Sequence, residues 1–157
     1  MGYINNLFIS LLGNFVFVAV FISWFLAQII KVIIYWMLEK KLNIWHFFEA
    51  GGMPSTHSAS VTALTLSILL TQGPGSPLFV VSSVFSLIVM YDATGVRRSA
   101  GKQAEILNKM VDDLYSTGRV KVEKLKELLG HDPIEVVIGA SIGVVVTLIA
   151  FYVYIIR

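Results

Sequence analysis

The chain has 157 residues, of which 56% are hydrophobic and 14% are charged, and its formal net charge is +2. Average soluble domains are about 45–50% apolar and roughly 25% charged, so the composition excludes an ordinary water-soluble globule. Aromatic residues make up 12% of the chain, which excludes a disordered protein. Cysteine is absent, which excludes disulfides, thiolate zinc sites and cysteine nucleophiles. The sequence predicts one integral membrane domain over residues 1–157.

Four apolar stretches are candidate membrane spans, at about residues 12–38, 58–71, 78–93 and 134–156. A spanning helix needs roughly 20 apolar residues, so the second and third stretches are short. They are joined by Gln72–Pro77, an uncharged turn whose glycines and prolines break a helix. The sequence therefore predicts an all-α polytopic bundle in which the two middle spans form a helical hairpin.

The lysines and arginines predict the orientation of this bundle. Lys40 and Lys41 follow the first span, and eight further basic residues lie between Arg97 and Lys126. The positive-inside rule places both groups in the cytoplasm and both chain termini outside. We expect the protein in a bacterial inner or plasma membrane, or in a plastid membrane.

The loop at residues 94–133 is predicted to contain two amphipathic cytoplasmic helices. Apolar residues recur at helical spacing over about residues 100–115 and again over about residues 120–129. Such helices either cap the bundle or lie along the lipid headgroups. The apolar stripe of the first helix comprises Ala104, Leu107, Val111 and Leu114.

The segment Gly51–Ala59 opens the second span and has the composition of a phosphate site. Its proline and serine favour a helix N-terminus, where free N–H groups bind anions. His57 adds a side chain that titrates near neutral pH. The alternative is an ordinary N-cap followed by a surface histidine. The hydroxyl groups available as further donors belong to Ser55, Thr56 and Ser58.

The segment Gly130–Val136 opens the fourth span. Asp132, Pro133 and Glu135 stand where a capping box places an N-cap, an N1 proline and an N3 glutamate. His131 is not needed for capping. The positive end of the helix dipole beside it favours a neutral imidazole, which is the form that a nucleophile requires.

Two further groups of polar residues lie at the predicted cytoplasmic boundary. In the first, an aspartate precedes three basic residues, and arginine offers phosphate a planar bidentate fork. The alternative is that these basic residues only meet anionic lipid. The second group either snorkels to the surface or faces the bundle interior. The first group is Asp92, Arg97, Arg98 and Lys102, and the second is Gln28 and Lys31.

Together these clusters resemble the type 2 phosphatidic acid phosphatase (PAP2) superfamily, in particular its divergent four-span bacterial and plant branch. The matching runs are GGMPSTHSA, DATGVRR and LGHDPIEV. The resemblance implies that His131 is the nucleophile, that Glu135 orients it and that His57 is the general acid. It implies phosphate binding by Ser55 and nearby backbone N–H groups, with Lys31 in the role of the first motif. We expect further phosphate contacts from Thr56, Arg97, Arg98 and Lys102, supported by Gln28, Ser58 and Asp92.

The resemblance implies hydrolysis of a lipid phosphomonoester through a phosphohistidine at the cytoplasmic face, with no cofactor required. The substrate would resemble phosphatidic acid, phosphatidylglycerophosphate or a polyprenyl phosphate. The chain departs from the classical motifs, because Leu125 stands where an arginine is expected six residues before His131 and Lys31 lacks its Arg-Pro partner. Other cations must then balance the phosphate charge.

Two alternatives to this mechanism remain at the level of sequence. One is a metal-assisted phosphatase or phosphotransferase using Mg²⁺ or Ca²⁺. The other is a non-catalytic protein that binds or transports a phospholipid. The candidate metal ligands are Asp92, Glu105, Asn108, Asp112 and Asp113.

The expected partners are the membrane and a phosphorylated lipid, and no nucleic acid. Gly139 and Gly143 form a small-residue face on the fourth span. This face either joins two copies in a homodimer or packs within one chain.

Overall fold

The structure is a computed structural model that describes residues 10–41, 43–48, 51–115 and 130–156. Within these ranges all regular secondary structure is helical, which confirms the predicted all-α class. The second predicted amphipathic helix, at about 120–129, lies outside the described residues. The helices are α1 (Phe15–Glu39), α2 (Thr56–Gln72), α3 (Pro77–Thr94), α4 (Val96–Tyr115) and α5 (Pro133–Ile156), with a short 3-10 helix at Ile44–Phe47.

Three helical stretches among the described residues are long and apolar enough to cross a membrane. They are Phe15–Glu39, Pro77–Asp112 and Pro133–Ile156, of which the second joins α3 to most of α4. The predicted span at 58–71 corresponds to α2, which has only 17 residues. Four spans therefore stay a prediction, while the membrane character of the chain follows from the three apolar helices.

Helix α2 lies at the centre of the bundle and packs against α1, α3 and α5. Its short polar and small side chains explain this position, because they let the neighbouring helices approach closely. In α2 only His57 and the last two residues are exposed. The fully buried stripe that begins at its N-cap comprises Ser55, Ala59, Ala63 and Ser67.

Helix α5 crosses α2 through its two glycines. A Cβ atom on Gly139 would collide with the backbone carbonyl of Ser55, and one on Gly143 would lie 2.5 Å from the carbonyl oxygen of Ala59. Each glycine therefore admits backbone where any side chain would push the helices apart. The small-residue face packs within one chain, so these glycines are not available for a dimer contact.

The hairpin of α2 and α3 matches the sequence prediction. Gly73 adopts a φ of 78°, Ser76 caps α3 by accepting a hydrogen bond from the N–H of Leu78, and Pro77 occupies the first turn. Between the helices, the Thr65 and Ser86 hydroxyl oxygens lie 2.7 Å apart. Such polar contacts hold helices together where lipid removes the hydrophobic drive for association.

Helix α4 begins directly after Gly95, earlier than the predicted start at about residue 100. Its buried face differs from the predicted apolar stripe. Ala104 and Asn108 are buried, whereas Leu107 is 49% exposed beside exposed Ile106 and Met110. The sequence left open which surface this stripe covers, because period alone identifies a stripe but not its partner. An outward apolar stripe suits a helix lying against lipid.

Candidate active site

One end of the bundle brings the three polar segments together, because α1 and α3 end there while α2 and α5 begin there. The backbone N–H of Ser55 donates to the carbonyl of Glu135 at 3.1 Å, and that of His131 donates to the carbonyl of Ala93 at 2.9 Å. These bonds join segments far apart in sequence. We call this region, with residues 51–57, 91–94 and 130–135, the site end.

His131 is held on both sides at this end. The residue is only 4% exposed, and its Nδ1 atom lies 2.9 Å from Oε2 of Glu135. The same oxygen accepts the backbone N–H of Asp132 at 3.2 Å. A single oxygen of Glu135 therefore makes the two contacts that its predicted roles require, one to the backbone at the start of α5 and one to the imidazole. An ionised carboxylate only accepts hydrogen bonds, so this contact favours the tautomer with the proton on Nδ1 and the lone pair on Nε2.

His57 faces His131 across the site end. The two ring centroids are 6.2 Å apart, with their planes inclined by 60°. His57 is exposed whereas His131 is buried, so the pair has one accessible and one fixed member. A reacting atom sits about 3–3.5 Å from its nucleophile, so a distance of 6.2 Å between the ring centroids is compatible with one phosphate between the two rings.

The hydroxyl groups of the Gly51–Ala59 segment are mostly used within the protein. Ser55 is fully buried as the N-cap of α2, with its Oγ accepting from the N–H of Ser58 at 3.3 Å and from the Ser58 hydroxyl at 3.0 Å. Thr56 is also buried, at 6% exposure. This geometry favours the N-cap interpretation for Ser55 and leaves His57 as the side chain that α2 offers to a ligand.

Lys31 and Gln28 face the bundle interior rather than snorkelling to the surface. Lys31 is 1% exposed and Gln28 is 7% exposed. Among the described residues, Oε1 of Gln28 is a buried acceptor without a hydrogen-bond donor. Intramembrane polar residues of this kind are expensive to bury and usually serve a function.

The third cluster is described only in part. Asp92 is half-buried one residue before Ala93, whose carbonyl binds His131, and Lys102 is exposed on α4. The side chains of Arg97 and Arg98 lie outside the described part of the structure, so their predicted phosphate contacts stay predictions.

The alternative metal ligands on α4 do not form a recognisable centre. Within the described ranges, no group of three or more His, Asp or Glu side chains could hold a metal ion. Glu105 instead pairs with Lys109 at 2.7 Å, and Asp112 is exposed. Asn108 is buried, and Asp113 has no described side chain.

Three residues beside the site were missed by the sequence analysis. The Tyr35 ring stacks on His46 with centroids 4.3 Å apart, and Nε2 of His46 lies 3.2 Å from Oε2 of Glu39. A Cβ atom on Gly52 would lie only 2.5 Å from the Tyr35 hydroxyl oxygen, so this tyrosine packs directly against the glycine loop. Tyr35 and Glu39 continue the α1 face of Lys31 at helical spacing, and that periodicity could have identified them.

Fold and site together define a helical membrane protein in which two histidines, one of them held by a carboxylate, face each other at one end of the bundle. The family described as the Divergent PAP2 family matches residues 12–146, and the chain belongs to this family. The chain is 44% identical over 154 residues to the uncharacterized membrane protein YuiD of Bacillus subtilis (strain 168), a match covering 91% of this chain and 98% of the relative. No solved structure shows a significant match.

Proposed function

We propose that this protein is a membrane lipid phosphatase that releases phosphate from a lipid phosphomonoester through a phosphohistidine. The observation that carries the proposal is the buried His131, oriented by Glu135 and facing the exposed His57 at 6.2 Å between ring centroids. A nucleophile held by a third group beside a second acid–base group is the arrangement that covalent catalysis requires. Family membership adds a phosphatase-related ancestry.

In the first half-reaction, the Nε2 lone pair of His131 attacks phosphorus in line with the lipid oxygen. The phosphorus–oxygen bond breaks as the N–P bond forms. Protonated His57 gives its proton to the leaving alkoxide, which departs as the lipid alcohol. Glu135 stabilises the positive charge on the His131 ring through Nδ1.

In the second half-reaction, His57 has become a neutral base. It takes a proton from water, and the resulting hydroxide attacks the phosphorus of the phosphohistidine. The N–P bond breaks, inorganic phosphate leaves, and His131 returns to its neutral form. General acid–base catalysis of this kind contributes roughly 10²–10⁴-fold.

Positive charge around the phosphate supplies the remainder of the proposed catalysis. Phosphoryl transfer depends mainly on positioning and on electrostatic stabilisation of the equatorial oxygens. The N-termini of α2 and α5 both lie at the site end, and Lys31 is buried on α1 two turns before that helix ends. Arg97, Arg98 and Lys102 are the proposed replacements for the missing classical arginines.

The test is phosphate release by the purified protein in lipid nanodiscs. Phosphatidic acid, phosphatidylglycerophosphate and a polyprenyl phosphate serve as substrates. We expect His131→Ala to lower turnover at least about 10⁴-fold and His57→Ala about 10²–10⁴-fold. Substrate labelled in its phosphate should leave an acid-labile label on the parent chain and none on His131→Ala. The matched control is Tyr152→Phe, an exposed residue of α5 at the opposite end.

Each contrary outcome leads to a specific alternative. Full activity in both histidine variants would refute the mechanism. Activity abolished by EDTA and restored by Mg²⁺ or Ca²⁺ would favour the metal-assisted alternative. Phospholipid that co-purifies with the protein and is never hydrolysed would favour the non-catalytic alternative.

The site is proposed to face the cytoplasm, because the basic residues adjoin the site end while the Gln72–Pro77 turn has none. The chain has no cysteine, so single cysteines report accessibility without a background. We expect a membrane-impermeant thiol reagent to label Gly75→Cys in intact cells and Lys41→Cys only after permeabilisation. The reverse pattern would place the site outside.

A further inference from the structure

A groove runs between α3 and α5 and ends at the site. Its volume is about 590 Å³, and its walls include Leu87, Ile88 and Tyr91 on α3 and Val137 on α5. Helices α3 and α5 both pack on α2 but touch each other little, which leaves this space between them.

The inner end of the groove adjoins the proposed nucleophile. Thr94 and Pro133 line that end. Thr94 directly follows Ala93, whose carbonyl binds the backbone of His131, and Pro133 lies two residues after His131. A molecule in the groove that extends past these two residues therefore reaches the proposed phosphate site.

The chemistry of the walls selects an aliphatic occupant. Among the described residues, none that lines the groove is charged, and the Thr94 hydroxyl already donates to the carbonyl of Met90 at 3.1 Å. Leu87 is 66% exposed and Val137 is 59% exposed, so the groove opens sideways, toward the lipid around an apolar bundle. A phosphorylated lipid could thus keep its chain in the membrane region while its phosphate enters the site.

We propose that this groove holds the part of the substrate's hydrocarbon chain nearest the phosphate, and this inference rests on the proposed lipid phosphatase function. From Leu87 to Thr94 the wall is about 10 Å long at 1.5 Å per helical residue. It therefore contacts only the first carbons of the chain. Because a chain moving from lipid into an apolar groove gains little from the hydrophobic effect, the groove mainly orients the phosphate toward His131.

A larger groove between α1 and α5, of about 820 Å³, does not have this relationship to the site. It lies along the start of α1 and the end of α5, and Val146 on its wall is 13 residues beyond Pro133. At 1.5 Å per residue this separation is about 20 Å. A chain lying there would not orient a phosphate at the histidines.

The experiment fills the α3–α5 groove and compares two substrates. Val137→Trp places an indole in the groove, and Val145→Trp places one on the same helix outside it, where valine is similarly exposed. The substrates are phosphatidic acid in nanodiscs and p-nitrophenyl phosphate, a soluble phosphomonoester without a chain. We expect Val137→Trp to lower phosphatidic acid turnover at least 10-fold and to change p-nitrophenyl phosphate hydrolysis less than twofold. Val145→Trp should change neither.

Equal losses on both substrates, or no loss on either, would overturn the groove proposal.

A second measurement does not depend on turnover. A phosphatidic acid analogue with a diazirine near the start of its chain should label α3 and α5 at the groove in the parent and not in Val137→Trp. Unlabelled phosphatidic acid should compete, and phosphatidylcholine should not.

Failure of the phosphatase proposal and failure of the groove proposal give different experimental results. Labelling at the groove without hydrolysis of any phosphomonoester would refute the phosphatase and retain a phospholipid-binding groove. Hydrolysis with labelling elsewhere, or with equal competition by phosphatidylcholine, would retain the phosphatase and refute the groove.

Discussion

The two ends of the bundle are built by different interactions. At the site end, hydrogen bonds join distant segments, from Ser55 to Glu135 and from His131 to Ala93. At the other end, α1 and α5 meet through aromatic rings. The ring centroid of Phe15 lies 5.5 Å from that of Phe151 and 5.2 Å from that of Tyr154. Hydrogen bonds fix direction and distance, whereas apolar contacts tolerate rearrangement. The difference indicates that geometric precision is concentrated where the proposed chemistry needs it.

The largest expected effect comes from separating α5 from α2. In Gly139→Leu the new side chain meets the backbone of Ser55, so the Ser55–Glu135 hydrogen bond breaks and His131 moves away from His57. Overpacking of this kind costs about 1–3 kcal/mol or more. We expect phosphatase activity to fall below detection and the unfolding temperature in detergent to drop.

Ser141→Leu is the matched control, because Ser141 is exposed on the same helix. It should retain the parent unfolding temperature and activity. A Gly139→Leu protein with both properties unchanged would show that α5 does not cross α2 at this glycine.

The second-largest effect is expected from a variant that tests the two contacts of Glu135. Glu135→Gln keeps the shape and an acceptor for the Asp132 N–H but removes the charge that holds His131 in one tautomer. By analogy with triads, we expect kcat to fall about 10²–10⁴-fold with little change in KM. Kinetics on phosphatidic acid in nanodiscs measures this. Asp132→Asn, which removes a neighbouring exposed charge, should leave kcat within about twofold, and equal losses in both variants would contradict a specific role for Glu135.

A smaller effect is expected from the residues behind the glycine loop. Tyr35→Phe removes the hydroxyl beside Gly52, and His46→Gln removes the ring that stacks on Tyr35. By analogy with the partners that orient metal ligands, whose loss costs about 10–100-fold, we expect a loss at the lower end here because neither ring belongs to the proposed chemistry. The loss should appear mainly in KM, and His46→Phe, which restores a stacking ring, should recover part of it. No recovery would indicate that stacking is not what His46 contributes.

The smallest effect on activity is expected at the opposite end. Phe15→Leu removes two ring contacts, each worth about 0.5–1.5 kcal/mol. The unfolding temperature should therefore fall while turnover of phosphatidic acid stays within about twofold. A loss of activity above 10-fold without unfolding would show that the two ends of the bundle are coupled.

Much of the helical framework could be predicted from local sequence. Apolar runs and the Gly/Pro turn identified the hairpin, and Ser55 and the Asp132–Glu135 segment marked helix starts, because these features depend on neighbours within a few residues. The face of α4 could not be predicted in the same way. Leu107 fits an apolar stripe in sequence but lies outward, since the surface that receives a stripe belongs to other segments.

The sequence by itself determined that this is an apolar helical protein with polar residues gathered near predicted helix ends, because hydropathy and capping are local properties. The tertiary structure alone decided that His57 and His131, 74 positions apart, lie 6.2 Å from each other. It also decided that Lys31 is buried and that Gly139 receives the backbone of Ser55 rather than a second chain. These results depend on how helices cross, and a crossing is set by the shapes of two surfaces that no single stretch of sequence contains.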